Sequence, residues 1–330
     1  MARIISYIKV FRLFFYGGAI YLRLRRYLNS IYNKKLNFPE SLKKDYYYHS
    51  RFYNRAQQYI HANHFFGELL SLLRGTKMRD KEMRRFVLLS SCAPVFDDFF
   101  EKDADYSSIK SLMHQPELER AKNDNEKLAA YFFSELLMDL NNRDQVLKAA
   151  DQLFEAQLKS KIQTNSQMSS NDLLQISLDK GGYSGLMYGL LLEHKQSESF
   201  NQIAFSLGSY GQLMDDVFDL YDDAHNGIRT FANQASSVRD IRMITEEHEQ
   251  KIFNLIDKMH CSGKSRKMFE QVLLVFSSII DIALNQYEQI EIKMQITPHE
   301  CIKLERKYWI VDMEKVSNVW KLFKFSSQRI

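Results

Sequence analysis

Beyond Pro39, apolar residues recur at three- and four-residue spacing along almost the whole chain, and no alternating apolar-polar stretch competes with them. The periodic segments run over 43–74, 78–102, 117–141, 143–162, 171–194, 199–224, 237–260, 265–292 and 298–324. Only 4 prolines and 12 glycines occur in 330 residues, too few for the turns of a β-sandwich or barrel. The hydrophobic share of 45% is enough to build a core, which excludes disorder as the main state. The pattern predicts an all-α chain, a single large helical bundle over 43–330 preceded by a basic amphipathic segment over 1–42. The breaks at 33–42, 103–116, 163–170, 225–236 and 261–264 are short and polar, unlike interdomain linkers. Two helix starts are written in capping chemistry: Thr297-Pro298-His299-Glu300 is a capping box with proline at the first helical position, and Ser237 with Asp240 resembles another.

Charge is unevenly placed. The net charge is +4, yet no acidic residue precedes Glu40, while Arg3, Lys9, Arg12, Arg23, Arg25, Arg26, Lys34 and Lys35 do. The remainder is therefore net acidic, which argues against nucleic acid as a partner. The apolar run Leu13–Leu22 contains Gly17-Gly18 and is bounded by Arg12 and Arg23, short of the ~20 residues a spanning helix needs. No small-residue cleavage site follows it, so it does not read as a secretory signal. Two readings of residues 1–35 stand. One is a first helix packed on the body of the protein, the commoner use of such a segment. The other is peripheral contact with an anionic membrane through Phe11, Phe14, Phe15 and Tyr16. Three scattered cysteines, Cys92, Cys261 and Cys301, form neither a disulfide framework nor a zinc site and point to a reducing, cytoplasmic setting. His61 and His64 stand three apart without an evident third ligand, and read as ordinary.

Two carboxylate clusters close apolar helices. In Phe96-Asp97-Asp98-Phe99-Phe100-Glu101 the three acids share one face at about 100° per residue, at the C-terminal end where the helix dipole is itself negative. Their placement there is unfavourable unless a cation compensates. A solvated helix end is an equally weighted reading of this cluster alone. The second, Asp215-Asp216-Val217-Phe218-Asp219-Leu220-Tyr221-Asp222-Asp223, puts five aspartates within a sector of about 120° among apolar neighbours. Oxygen-only clusters of this kind suit Mg²⁺, held by a few carboxylates together with the phosphates of a substrate. Gly211 and Gly208, one and two turns before Asp215, are expected to leave space beside the carboxylates, with close helix packing weighed equally for the glycine-rich span Gly181–Gly227. Lys180 and Arg229 flank the region as candidate phosphate ligands.

These residues resemble the class I isoprenoid synthase superfamily, and within it the trans-prenyl diphosphate synthases. Gly208-Ser209-Tyr210-Gly211-Gln212-Leu213-Met214-Asp215-Asp216-Val217-Phe218-Asp219 is similar to the G-x-x-x-Q-x-x-D-D-x-x-D motif of that branch. Asp172-Leu173-Leu174-Gln175-Ile176 with Lys180-Gly181-Gly182 resembles the helix whose lysine contacts the substrate diphosphate, and Asp97-Asp98-x-x-Glu101 resembles the first aspartate-rich motif. The likeness is specific over about 155–235, weak over 86–103 and architectural elsewhere. It implies the isoprenoid synthase fold with a central active-site cavity, and a cluster of three Mg²⁺ ions between Asp97, Asp98 and Glu101 on one side and Asp215, Asp216 and Asp219 on the other. The ions, with Lys180 and Arg229, would bind an allylic prenyl diphosphate and ionise it. Gln212 would orient the site, and aromatic faces including Phe99, Phe100, Tyr183, Tyr188, Phe205 and Tyr210 would stabilise the cation, although aromatics at helical spacing usually pack as core. A homodimer is usual in that family.

Departures choose between reactions. Chain-elongating members carry an arginine pair after the first motif and a basic G-K-x-x-R element about forty residues before it. Here Lys102-Asp103-Ala104-Asp105-Tyr106 follows Glu101, and Gly75-Thr76-Lys77-Met78-Arg79 stands too close to the motif. The resemblance therefore implies a terpene synthase, which ionises one prenyl diphosphate and lets the cation cyclise. Asp223 would then be a further metal ligand, and Lys307-Tyr308 would cap the diphosphate. Ala93 and Cys92, at the positions that floor the pocket in that family, imply a substrate of C20 or longer. The alternatives are a chain-elongating trans-prenyl diphosphate synthase and a non-catalytic partner subunit of such a synthase.

Overall fold

The computed structural model describes residues 2–29, 38, 42, 48, 51–101, 105–193 and 197–330, with the backbone alone at 2–5 and 101. The expected break at 33–42 except residues 38 and 42, with Lys34 and Lys35, the helix start near 43, Lys102-Asp103-Ala104 and the Glu101 side chain lie outside the described residues. Every regular element among those described is helical. The longer ones are α1 (Ala2–Tyr27), α2 (Arg51–Leu73), α3 (Asp80–Glu101), α4 (Tyr106–His114), α5 (Asp124–Met138), α6 (Arg143–Ser160), α7 (Ser170–Leu190), α8 (Glu198–Phe218), α9 (Leu220–His225), α10 (Val238–Asp257), α11 (Gly263–Met294), α12 (Arg306–Trp309) and α13 (Val316–Arg329). The chain divides into two compact units, one of Met1–Phe15, Glu155–Leu186 and Ser197–Ile330, the other of Tyr16–Phe154 and Met187–Gln196.

Five helix starts follow local chemistry directly. Asp105, Asn123, Ser197, Ser237 and Ser262 each accept a hydrogen bond from the backbone N–H three residues on, satisfying a donor that the first turn leaves orphaned. The Thr297 box forms as read: the Glu300 carboxylate accepts from the Thr297 N–H and hydroxyl, both at 3.4 Å. It opens a 3₁₀ turn, Pro298–Lys303, rather than the long helix expected over 298–324. That stretch divides into the turn, α12 and α13. The break expected over 103–116 contains α4, whose Ile109, Leu112 and Met113 are buried. Asp105 as its N-cap was the overlooked signal.

In the second unit α3 packs against α2 and α5, with Ile60 and Leu70 of α2, Phe86, Leu88 and Val95 of α3, and Phe132 and Phe133 of α5 almost fully buried. Arg85, itself buried, donates to the Asp139 carboxylate (3.1 Å) and carbonyl (2.7 Å), the Leu191 carbonyl (3.1 Å) and Glu193 (3.1 Å), tying the Met187–Gln196 segment to the unit. A buried charge so fully bonded is tolerable where an unpaired one is not.

In the first unit α11 is the central helix. It is long and apolar enough to cross a membrane, with half of its most apolar window buried. Phe269, Leu273, Ile280, Leu284 and Tyr287 form its buried side, and α8, α10 and α13 pack on it. Tyr287 Oη donates to the Val217 carbonyl (2.9 Å) and Tyr210 Oη to Ser277 Oγ (2.9 Å), fixing the last turns of α8. Helices α7 and α8 cross at bare backbone. A Cβ at Gly208 would lie 2.3 Å from the Gly181 carbonyl oxygen and 2.7 Å from Gly185 Cα, and one at Gly182 would enter the Phe205 ring. Close packing thus accounts for Gly181, Gly182, Gly185 and Gly208. Gly211 is exposed, and nothing stands within 4 Å of a Cβ added there.

These two glycines give opposite predictions. Gly208→Ala forces backbone apart and should destabilise by about 2–3 kcal/mol. Gly211→Ala, in open space on a helix, should stabilise by about 0.5–1 kcal/mol. Chemical denaturation of both variants checks the sign at each position.

Candidate functional site

The second carboxylate cluster occupies the end of α8 and all of α9. Asp219 stands at the junction, and the path stays nearly helical: its N–H donates to the Asp215 carbonyl and the Asp223 N–H to the Asp219 carbonyl, each at 2.8 Å. The expected single face therefore survives the break. Asp216 is the buried member, 5% exposed. One of its oxygens accepts from Ser177 Oγ of α7 at 2.5 Å, and the other from Gln212 Nε2 at 3.0 Å. The same amide nitrogen lies 3.1 Å from Asp215 Oδ2, so Gln212 bridges the two adjacent aspartates.

Protonation shows how far the cluster lacks countercharge. Burial, partly offset by Ser177, Gln212 and Lys180, raises Asp216 to about 6. Asp219 is exposed as a residue, but protein packed around its carboxylate and the charges of Asp215 and Asp222 raise it to about 6. Asp223, by burial and then repulsion from Asp216, Asp219 and Asp215, rises to about 7. Lys180 is the basic group that opposes all three shifts, yet it forms no ion pair within 4 Å with them. Asp222 goes the other way. Arg306 donates from Nε and Nη2 to its two oxygens, both at 2.6 Å, and holds its carboxyl below the usual range. Arg306 is placed by Gln286 of α11, whose side chain donates to the Tyr308 and Ile310 carbonyls at 2.8 and 3.1 Å.

The remaining sequence candidates of this unit stand differently. Arg229 Nη1 donates to the carbonyls of Asn165 (2.7 Å) and Met168 (3.3 Å), and Nε to Gln234 (3.0 Å), so its guanidinium holds the 165–168 loop. Tyr183 packs edge-on to Phe205 at 5.2 Å, the core arrangement usual for such aromatics. The Tyr308 ring lies under Lys307 Nζ.

The first cluster belongs to the other unit. Its countercharge comes from α2. Asp98, 1% exposed, accepts from Arg51 and from Arg55 Nη1 at 2.5 Å. Asp97 accepts from Tyr59 Oη at 2.6 Å, with Arg55 Nη2 3.7 Å away. The compensating cations demanded by that helix end include two arginines that no local pattern pointed to. Burial and the Asp97 charge raise the Tyr59 hydroxyl, which therefore stays a donor. Phe99 is buried edge-on to Phe96 at 5.8 Å, Ala93 is half-buried, and Cys92 is fully buried with its thiol donating to the Leu89 carbonyl at 3.1 Å.

The donor set at the end of α8 and in α9 suits Mg²⁺: Asp215, Asp216, Asp219 and Asp223 are oxygen ligands without a bonded counter-cation. Among the described residues no three His, Cys, Asp or Glu side chains are gathered closely enough to hold an ion alone. One or two carboxylates per ion, completed by water and phosphate oxygens, is the coordination such a spread supports.

The raised carboxyls give a pH test. A folded value above the unfolded one adds stability that is complete below the unfolded value of 3.8 and is lost as pH rises through about 6 to 7. In EDTA, thermal stability should therefore fall through this cluster between about pH 4 and pH 7 and level off above. Asp223→Asn should flatten that fall and stabilise the protein at pH 8 by about 1–2 kcal/mol, allowing for solvent screening. An unchanged pH profile in the variant contradicts the stated burial and crowding of Asp223.

Comparison with protein-family models, curated proteins and solved structures finds no match, so the function is argued from these residues and their geometry.

Proposed function

We propose that the chain is a Mg²⁺-dependent class I terpene synthase with the isoprenoid synthase fold, acting on a linear prenyl diphosphate of C20 or longer. The observation that carries the reading is the group Asp215, Asp216, Asp219 and Asp223, buried and crowded enough to raise three of them, with Lys180 in electrostatic reach of those three and open space at Gly211 one turn before Asp215. Such a group suits a tightly charged ligand that brings its own metal. Asp215, Asp216, Asp219 and Asp223 would hold Mg²⁺, which when bound supplies Lewis-acid withdrawal of charge from the leaving diphosphate.

The chain's own groups do the rest. Ser177 and Gln212 keep Asp216 ionised and aimed, and Gln212 holds Asp215 in register with it. Lys180 contributes a positive point charge toward the diphosphate oxygens. Breaking the allylic C–O bond leaves pyrophosphate and a carbocation, which is quenched by loss of a proton or addition of water. Asp97, Asp98 and Glu101 are metal ligands by resemblance, and an ion held there requires Asp97 or Asp98 to give up its arginine partners. Arg229 supports the 165–168 loop, and a phosphate contact from it requires release of that loop.

One observation favours the chain-elongating alternative. Arg51 and Arg55 come from a helix over forty residues before the first motif and stand against Asp97 and Asp98. That is the sequence region from which elongating enzymes draw the basic group that binds a second, acceptor diphosphate. The two reactions separate cleanly in one assay. Purified protein with Mg²⁺ is incubated with C10, C15, C20 and C25 prenyl diphosphates, with and without isopentenyl diphosphate. Hydrocarbon or alcohol without isopentenyl diphosphate is the expected result. Longer diphosphates formed only in its presence establish the elongase, and no product in any mixture favours the non-catalytic partner. Asp215→Ala should lower turnover by at least about 10²-fold with helicity unchanged.

A further inference from the structure

The helices α1 and α13 share an exposed apolar surface that no other described element covers. One side of α1 is core: Val10, Leu13, Ile20, Leu24 and Tyr27 are buried. The opposite side carries Ile8, Phe11 and Phe15, the last 64% exposed, and continues along the helix to Leu22. A helix apolar on both sides has a second partner to find. On α13, Val316, Val319 and Trp320 are exposed, at 84%, 41% and 62%. The two helices meet through Phe323, stacked on Tyr7 at 5.3 Å and on Trp320 at 5.8 Å and 6.2 Å from Phe14, and through Lys9 Nζ, which donates to the Ile330 carbonyl at 3.2 Å.

Charge decides what covers this surface. Neither helix contains an acidic residue, whereas Lys9 and Arg12 border the aromatic stripe of α1 and Lys321 and Lys324 that of α13, with all but Lys9 exposed. An interior protein contact would desolvate these ammonium and guanidinium groups. At a bilayer surface, long basic side chains reach the phosphates while Phe and Trp settle at the level of the headgroups. We propose that the paired terminal helices form a peripheral docking surface for anionic phospholipid bilayers. This is independent of the reaction proposed above.

The two tryptophans make the test specific, since Trp309 is fully buried and Trp320 stands on the surface in question. The full chain is mixed with vesicles of phosphatidylcholine alone, or of phosphatidylcholine with phosphatidylglycerol, and followed by flotation and tryptophan emission. Flotation with the anionic vesicles only, weakened by salt, is expected. It should come with a blue shift and with quenching by brominated lipid that Trp320→Phe removes. Phe11→Ser with Phe15→Ser should weaken partitioning by at least about tenfold with helicity retained. Quenching in the unaltered chain tests the contact even if that pair fails to fold. No flotation, or equal flotation with both vesicles, overturns the proposal. So does a blue shift that grows with protein concentration without lipid, which would assign the surface to a second copy of the chain.

Discussion

The site at the end of α8 depends on one backbone contact. Helices α7 and α8 approach until the Gly181 carbonyl stands where a side chain at Gly208 would be, and Gln212 Cβ occupies the place a side chain at Gly181 would take. That approach brings Ser177, one turn before Gly181, into hydrogen-bonding distance of Asp216 and sets Lys180 within electrostatic reach of Asp216, Asp219 and Asp223. A helix pair held apart by ordinary side chains, at the usual separation of about 8–10 Å, leaves a serine hydroxyl too short to reach across. The glycines therefore serve the carboxylates indirectly, by letting α7 supply the groups that keep Asp216 bonded.

The two acidic helix ends solve the same electrostatic problem in opposite ways. Both place carboxylates at the negative pole of a helix. At the end of α3 the protein supplies arginines, and Asp98 is buried against them. At the end of α8 and in α9 it supplies one bidentate arginine, to Asp222, and leaves Asp215, Asp216, Asp219 and Asp223 without a bonded cation, Lys180 and Arg306 acting on members of the group only at a distance. In the function proposed above, the carboxylates left unpaired there would hold an external cation.

The sequence made some of this legible and concealed the rest for a definable reason. Helical spacing, the Ser237 and Thr297 caps, and the register that gathers Asp215, Asp216, Asp219 and Asp223 are all consequences of residues within one or two turns, where chain geometry is fixed by the backbone itself. Gly211 beside open space follows from the same local argument. Arg51, Arg55 and Arg306 were hidden because each reaches its aspartate across forty or more residues, and nothing local distinguishes them from other surface arginines. Ser177 is of the same kind. Gly208 was half legible: its position on the helix was readable, but whether its missing side chain makes room for a ligand or for another helix depends on α7. The run 298–324 misled because its apolar residues keep helical spacing, while Leu304 and Ile310 take extended backbone that divides it.

The central claim is that the end of α8 with α9 is an anionic centre completed by Mg²⁺ and a diphosphate together. Calorimetric titration of inorganic pyrophosphate into the protein, with Mg²⁺ and then with EDTA, tests it without reference to any product. Saturable binding that requires Mg²⁺ and disappears in the double variant Asp216→Asn, Asp219→Asn is the predicted result. Pyrophosphate binding that persists in EDTA, or that the double variant leaves intact, would contradict it.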